Sequence, residues 1–363
     1  MNVQVTQENL NRALTSVSRV ANSRGTLPIL ANVLIKTVKN RLSISATNLD
    51  IAITHFIGAK VASEGSITVP ARLMQDFVSS LPEGVIDLEL EDTKLKVSTN
   101  QYKSVVNGIV ADDFPVMPSI SDGVSWSVNA GTLKKSLQQV VFAASSDETR
   151  PVLTGVLIQT IDGKLFMAAT DSYRLAEKQL GANTKETKLL VPASAMHDLL
   201  RLLIDEDIDV MIRHDDLQIL FTVGDVELVT RLVDGTYPDY RKLIPSTFTT
   251  EARLKRTDFV NVTKVSSLFA RESAGSVTIE VDEAKQQLSI RSVASQLGEN
   301  TAIADGKIKG SGSITLNSRY LIDALGAISG EDVLFGFNGK LEPTLLRDVA
   351  NADYRHVIMP LKS

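Results

Sequence analysis

At 363 residues the chain is too long for one ordinary hydrophobic core and has room for two or three domains. An apolar share of 43% and a charged share of 22% are those of a soluble globular protein, and the absence of cysteine excludes a disulfide framework or a thiolate metal site. The net charge of −5 taken alone argues mildly against nucleic acid as a partner. MNVQVTQENLNRAL has no basic region leading into an apolar core, and no run approaches the roughly 18 apolar residues of a membrane span, so a cytoplasmic protein is expected.

Leu10, Leu14, Val17 and Ala21 recur at helical spacing and predict a first helix over 6–21. Period-two strands follow, among them PILANVLIKTVKNRLSISATN, and then a helix over 70–81 with Pro70 expected in its first turn, where a missing amide costs nothing. The alternating LKVSTNQYKSVVNGIV closes this unit. The same order then recurs with a helix over 129–144, strands, a helix over 191–203 opening at Pro192, and LQILFTVGDVELVTRLV. It recurs once more with a helix over 255–271, the strands of GSVTIEVDEAKQQLSIRSVAS, and a helix over 317–328 capped by Asn317.

The recurrence extends to identity. PVLTGVLIQTIDGKLFMAATD, Pro151 to Asp171, matches Pro28 to Asn48 at nine of twenty-one positions without a gap. SITVPARLMQDFVSSLPEGVIDLEL returns as KLLVPASAMHDLLRLLIDEDIDVMI and as SITLNSRYLIDALGAISGEDVLFGF, with Asp76, Asp198 and Asp323 in register. A period of about 120 residues is a domain triplication, because solenoid repeats are only 20 to 50 residues long. The joints fall near MPSISDG and IPSTFTT, which gives domains 1–121, 122–245 and 246–363. Strands on either side of each helix, with links too short for parallel crossovers, predict an α+β fold with two helices per domain on one face of antiparallel sheets.

Helical phase sorts the charges. Arg12, Ser16 and Arg19 share a face away from the apolar stripe; Lys135, Gln138 and Gln139 point away from Leu133, Leu137 and Val140; His197 and Arg201 lie off the Met196, Leu200 and Leu203 side; and Lys264 opposes Phe259, Val262 and Ser266. Summed over the six predicted helices the charge is about +6, leaving about −11 for strands and loops. Six helices on one surface would attract phosphate there while the remainder repelled it. Few aromatic residues accompany the basic ones, so a duplex held by its backbone fits better than stacked single strands.

Four further stretches, SRGTLPILANVL, ATDSYRLA (169–176), DGTYPDYRKLIP (234–245) and the terminal HVIMPLK, occur in order on this triplicated chain. Together they resemble, over its whole length, the bacterial DNA polymerase III β subunit family of replicative sliding clamps. The resemblance implies a DNA-clamp fold and a head-to-tail homodimeric ring, helices inside and sheets outside. Such a ring encircles duplex DNA without sequence specificity, as a processivity factor in DNA replication, and tethers the polymerase III catalytic subunit, the clamp loader and other polymerases and repair factors. It also implies a cleft for short partner peptides, formed by Leu153, Thr170, Ser172, Tyr173, Arg174 and Leu175, continued by Pro238, Lys242 and Leu243, and closed by Val357, Met359, Pro360 and Leu361, with Leu345 or Leu346 contributing. Some members carry Gly and His at the positions of Ser172 and Tyr173.

Arg24 lies in the family's DNA-contacting loop and Arg150 in an adjacent position of the repeat, while helix phase adds Arg12, Arg19, Arg72, Lys135, Arg201, Lys264 and Arg319. The family's dimer contact maps to Leu268 and Phe269 at one end and to the strand of Tyr102, Ser104 and Val106 at the other. An enzyme is the competing class. DEDIDVMIRHDD gathers carboxylates and His214 that could hold Mg²⁺, but it spans a helix exit, an alternating strand and a turn, which reads as solvated surface. DGKIKGSGS lacks the Lys-Ser/Thr pair of a phosphate loop, and the four histidines have no metal-ligand spacing, so no catalytic site, metal or cofactor is expected.

Overall fold

The computed structural model describes residues 1–21, 27–183, 185–204, 207–294 and 298–362. Six α-helices occur among them: α1 (Gln7–Val17), α2 (Ala71–Ser80), α3 (Ala130–Val140), α4 (Ala193–Leu202), α5 (Arg256–Phe269) and α6 (Ser318–Ala327). Each matches a predicted helix with shorter ends. Thr6 caps α1, its hydroxyl accepting from the Asn9 amide, and Asn317 caps α6 by accepting from the Arg319 amide at 2.9 Å, as expected. Pro70 and Pro192 are not inside the first turn. Each is the last residue of an edge strand and stands immediately before its helix, and an edge strand is where the missing N–H leaves no ladder bond unmade.

Two compact units emerge, and the boundary between them runs through the second repeat. The first comprises Met1–Lys134 and His197–Leu232, the second Lys135–Met196 and Val233–Ser363. In the first, a five-stranded antiparallel sheet has the order Lys60–Ser63, Asn2–Thr6, Val85–Glu91, Lys94–Ser98, Lys103–Asn107. An eight-stranded sheet runs Val124–Asn129, Asp209–His214, Gln218–Val223, Val226–Arg231, Ile51–Gly58, Arg41–Thr47, Asn32–Val38, Ser66–Pro70. Helix α1 packs on α2 and on the strands Arg41–Thr47 and Ile51–Gly58, burying Leu10, Ala13, Leu14 and Val17 on one side.

In the second unit one twelve-stranded sheet begins Lys188–Pro192, Gly155–Ile161, Lys164–Thr170, Arg174–Ala182, Tyr354–Ile358, Thr344–Asp348. It continues Asp332–Phe337, Thr250–Lys255, Gly298–Lys309, Gln287–Ala294, Ser276–Asp282, Gly312–Asn317. Helix α5 packs on α6 and on the strands Gly298–Lys309 and Gln287–Ala294.

The sheets explain the division of the second repeat. Ile51–Gly58, from the first repeat, pairs antiparallel with Val226–Arg231, the last strand of the second. Arg174–Ala182, from the second repeat, pairs antiparallel with Tyr354–Ile358, the last strand of the third. Half of the second repeat's ladder therefore completes its predecessor's sheet and half its successor's, and in each case strand edges are consumed that would otherwise be open to aggregation. The repeat is legible in sequence, whereas this sharing of sheets across repeats is not.

Three phase assignments need correction. Gln139 is buried and donates to the Ala327 carbonyl at 2.7 Å instead of pointing away. Leu199, not Leu200, is buried with Met196 of α4 and with Leu203 just beyond its end, and Thr263 replaces Val262 beside Phe259 and Ser266 in α5. Thr263 fits there because its hydroxyl donates to the Phe259 carbonyl one turn back. Among the described residues no helix is long and apolar enough to cross a membrane, and no group of acidic or histidine side chains could hold a metal ion. Asp205 and Glu206 of the acidic stretch lie outside the described residues.

Candidate functional site

The residues of the expected cleft meet in the second unit. Leu153, Leu175, Leu345 and Val357 belong to one buried cluster with Leu157, Ala168, Leu190, Tyr237 and Tyr240, and Val152, Val233, Ile244 and Phe248 pack on it. The ladder determines this grouping, since Leu175 pairs with Val357 and Val357 with Leu345, so all three side chains emerge on one sheet face. Leu346 pairs with His356 and is fully buried on the opposite face, which removes it from the cleft. Of the two leucines named from sequence, Leu345 alone lies in the cluster.

Tyr173, Pro238, Lys242 and Leu243 are exposed around this apolar floor, and Lys242 is tied to Asp239 at 2.8 Å. Met359, Pro360 and Leu361 are half-buried, with the Met359 amide donating to the Tyr173 carbonyl at 2.8 Å and the Leu361 amide to the Thr315 carbonyl at 2.9 Å. The Thr170 hydroxyl donates to the Arg174 carbonyl and accepts from the Ser172 amide, bracing the turn. Ser172 has a φ of 77°, which places a non-glycine residue in the left-handed region. A glycine would adopt this conformation without that strain.

Arg174, expected among the cleft residues, lies beside this cluster on the same strand as Leu175. Its side chain is only 13% exposed. It donates to Asp171 at 3.0 Å, to Asp323 at 2.6 Å and to the Phe142 carbonyl at 2.8 Å, and its guanidinium stacks 4.6 Å from the Tyr320 ring centroid. A cation so fully engaged ties together the segments that carry Asp171, Phe142 and Asp323.

Sequence reading missed what stabilises the joint beneath. Glu177, 2% exposed, accepts from the Tyr240 hydroxyl at 2.8 Å and from Arg241 at 3.0 Å. Burial, then the neighbouring Glu177 charge, raises the Tyr240 phenol well above its usual range and keeps it a donor. His356 is wholly buried, stacked on Phe142 and bonded to the Tyr354 hydroxyl, and burial lowers its pKa to about 3. The aromatic spacing of DGTYPDYRKLIP was the available signal for Tyr237 and Tyr240, and HVIMPLK contains His356 without marking it as buried; nothing local marked Glu177.

The basic residues divide between the units. In the first, Arg12, Arg19 and Arg201 line a cavity of about 680 Å³ with Ser16, His55, Asp198 and Asp225. Asp198 bonds Arg201 at 2.7 Å and so neutralises part of it. Burial, with the Arg12 charge second, lowers the His55 pKa to about 4, and the Ser16 hydroxyl hydrogen-bonds its Nδ1. Arg72 is almost fully exposed, 4.0 Å from Asp76. In the second unit Lys135, Lys264 and Arg319 are exposed, and Arg150 is held by Asp147 and by the Ser172 hydroxyl at 3.0 Å. Arg24 lies outside the described residues.

Of the expected dimer contacts, Leu268 is 52% exposed on α5 and Tyr102 is exposed, while Phe269 and Ser104 are half-buried. Val106 turns into its own sheet, and its neighbour Val105 is exposed on the other face with Lys103 and Asn107. Alternation along the strand puts the two valines on opposite faces.

Three family models match the chain in succession: the DNA polymerase III beta subunit N-terminal domain over residues 1–118, its central domain over 127–239 and its C-terminal domain over 241–362. A Synechococcus elongatus beta sliding clamp is 32% identical, covering 98% of both chains, and one from Bacillus subtilis is 29% identical over the full length of both. Among solved structures, the Bacillus subtilis DNA polymerase sliding clamp superposes with a TM-score of 0.96 at 28% identity, covering 100% of this chain and 99% of its own. The Pseudomonas aeruginosa clamp bound to griselimycin gives 0.95 at 27%, covering both chains completely. With all three domain models matched in order and full-length relatives above 30% identity, this chain belongs to the DNA polymerase III beta subunit family, the sliding clamps that work with DNA and the replicative polymerase.

Proposed function

We propose that the chain acts as a homodimer closed head to tail into a ring around duplex DNA, with three clamp domains at 1–121, 122–245 and 246–363 in each copy. The ring tethers the polymerase for processive synthesis and has no catalytic site of its own. One observation carries the ring. Two repeat-to-repeat joints are antiparallel pairings of an inner strand with the last strand of the next repeat. The third repeat's corresponding strand, Gly298–Lys309, pairs along one edge with Gln287–Ala294 over Gly298–Asp305, and its other edge has no partner strand there among the described residues. Lys103–Asn107, the last strand of the first repeat, is likewise an open edge. Pairing these two edges between copies, once in each direction, uses both and closes the assembly with twofold symmetry.

Leu268 belongs beside this joint, because Asn300 on the open strand bonds Ser266 on the same helix at 3.0 Å. An exposed leucine there gains a partner surface on closure. Leu268→Ala with Phe269→Ala removes apolar contact worth a few kcal/mol per interface. Analytical ultracentrifugation is expected to show a shift toward monomer with unchanged circular dichroism; an unaltered dimer at nanomolar concentration would overturn the joint.

Arg12, Arg19, Arg72, Lys135, Arg150, Arg201, Lys264 and Arg319, with Arg24, meet the duplex backbone in this reading and read no bases. The apolar floor of Leu153, Leu175, Leu345 and Val357, walled by Met359 to Leu361, receives short apolar segments of the polymerase, clamp loader and repair factors. Replication places the protein in the cytoplasm.

A further inference from the structure

Next to the cleft floor, in the same unit, lies a second cavity of about 400 Å³ lined by Arg241, Arg347 and Arg355 with Ile244, Phe248 and Leu345. Three of these, Ile244, Phe248 and Leu345, also belong to or pack on the apolar cluster beneath the cleft, so the cavity adjoins that cluster through shared side chains. Strand register explains why the cations stand there. Arg355 is two residues from Val357, and Arg347 two from Leu345, so each guanidinium emerges on the face of the sheet that carries the cleft floor. The offset of two residues is about 7 Å.

The charges in this cavity do not balance. Arg241 bonds Glu177 at 3.0 Å and Arg355 approaches it at 3.8 Å, so one buried carboxylate serves two guanidiniums. Arg347 donates to the Asp348 carbonyl at 3.1 Å, and no carboxylate among the described residues forms an ion pair with it. Arg241 is further fixed by stacking 4.2 Å from the Phe166 ring centroid. A fixed arginine cluster with an excess of positive charge and an apolar wall suits a carboxylate carried on a chain whose apolar side chains already occupy the neighbouring floor.

We propose that this cavity is an acidic subsite of the peptide cleft, taking an Asp or Glu two to three residues from the apolar anchor of a docked partner segment. The inference rests on the docking reading above and adds to it a preference in partner sequence. A nucleic-acid strand fits less well, because the site offers one aromatic wall residue, Phe248, and adjoins an apolar cluster instead of a basic track.

Fluorescence anisotropy with the full-length protein tests it. The probes are a labelled docking segment of the replicative polymerase bearing, at either end, Gly-Asp-Glu-Asp or the isosteric Gly-Asn-Gln-Asn. The acidic form is expected to bind about tenfold more tightly at low salt, and that advantage should vanish in Arg347→Gln, Arg355→Gln while the amide form binds the variant as it binds the parent. Equal affinity of the two probes, or an acidic advantage that survives the double substitution, overturns the subsite and leaves the cleft standing. Binding of neither probe overturns the docking reading and this inference with it. An oligonucleotide that competes with the acidic probe only in the parent protein, at equal phosphate and carboxylate concentration, assigns the arginines to nucleic acid and overturns the peptide subsite.

Discussion

Arg174 was legible as a site residue but not as the kind it is. The motif ATDSYRLA singles it out, yet only the fold brings Asp323, Phe142 and Tyr320 around it from elsewhere in the chain, and those contacts make it a brace. Arg174→Ala removes the guanidinium from Asp323 and from Asp171 Oδ2, leaving Asp171 only its backbone amide donors, and is expected to cost about 2–3 kcal/mol in urea unfolding. Arg174→Lys should recover little of this, since an ammonium cannot reproduce the stacked fork. A loss under 0.5 kcal/mol for the alanine variant would contradict the brace. His356 gives the second residue-scale test. Its folded pKa of about 3 lies below the ordinary 6.5, so its contribution to stability is complete above about pH 6.5 and is lost as pH falls through that value toward 3. That loss is about 1.4 kcal/mol per pH unit inside the window. In urea titrations between pH 7 and 4.5, His356→Leu should flatten the pH dependence by that slope, and an unchanged slope would show that His356 is not held neutral.

At the scale of elements, hydrophobic periodicity found all six helices, because each buries one stripe against a sheet, and it erred where polar residues entered that stripe. Gln139 and Thr263 are buried with hydrogen bonds that periodicity cannot foresee. The apolar floor was legible through the family motifs, whereas the arginine cavity beside it depends on cross-strand register between repeats. Two tests belong here. Arg19→Ala should weaken duplex binding equally on all sequences and lower the salt slope by about one unit, while Arg201→Ala, already paired with Asp198, should lower it less. Equal effects, or effects that vary with base sequence, would contradict contact through the backbone. Deleting Met359 to Ser363 removes the strap bonded to the Tyr173 and Thr315 carbonyls, and peptide affinity should fall at least about tenfold, or some 1.4 kcal/mol. Retained affinity would place the docking site elsewhere.

For the whole molecule, the sequence establishes that one passage is written three times and the sheets say what the repetition achieves. Two repeats offer an inner strand to the last strand of the next, and among the described residues the third repeat's inner strand and the first repeat's last strand are left without that pairing. A second copy supplies the matching pair, and encirclement then follows from closure, with affinity for the duplex that is topological more than energetic. The decisive measurement is retention on nicked circular duplex DNA after loading by a clamp loader, at salt high enough to screen phosphate contacts. A ring stays with the circle through gel filtration and is released when a restriction enzyme linearises the DNA. Protein lost from the circle at that salt, or held equally by the linear form, would contradict the closed ring.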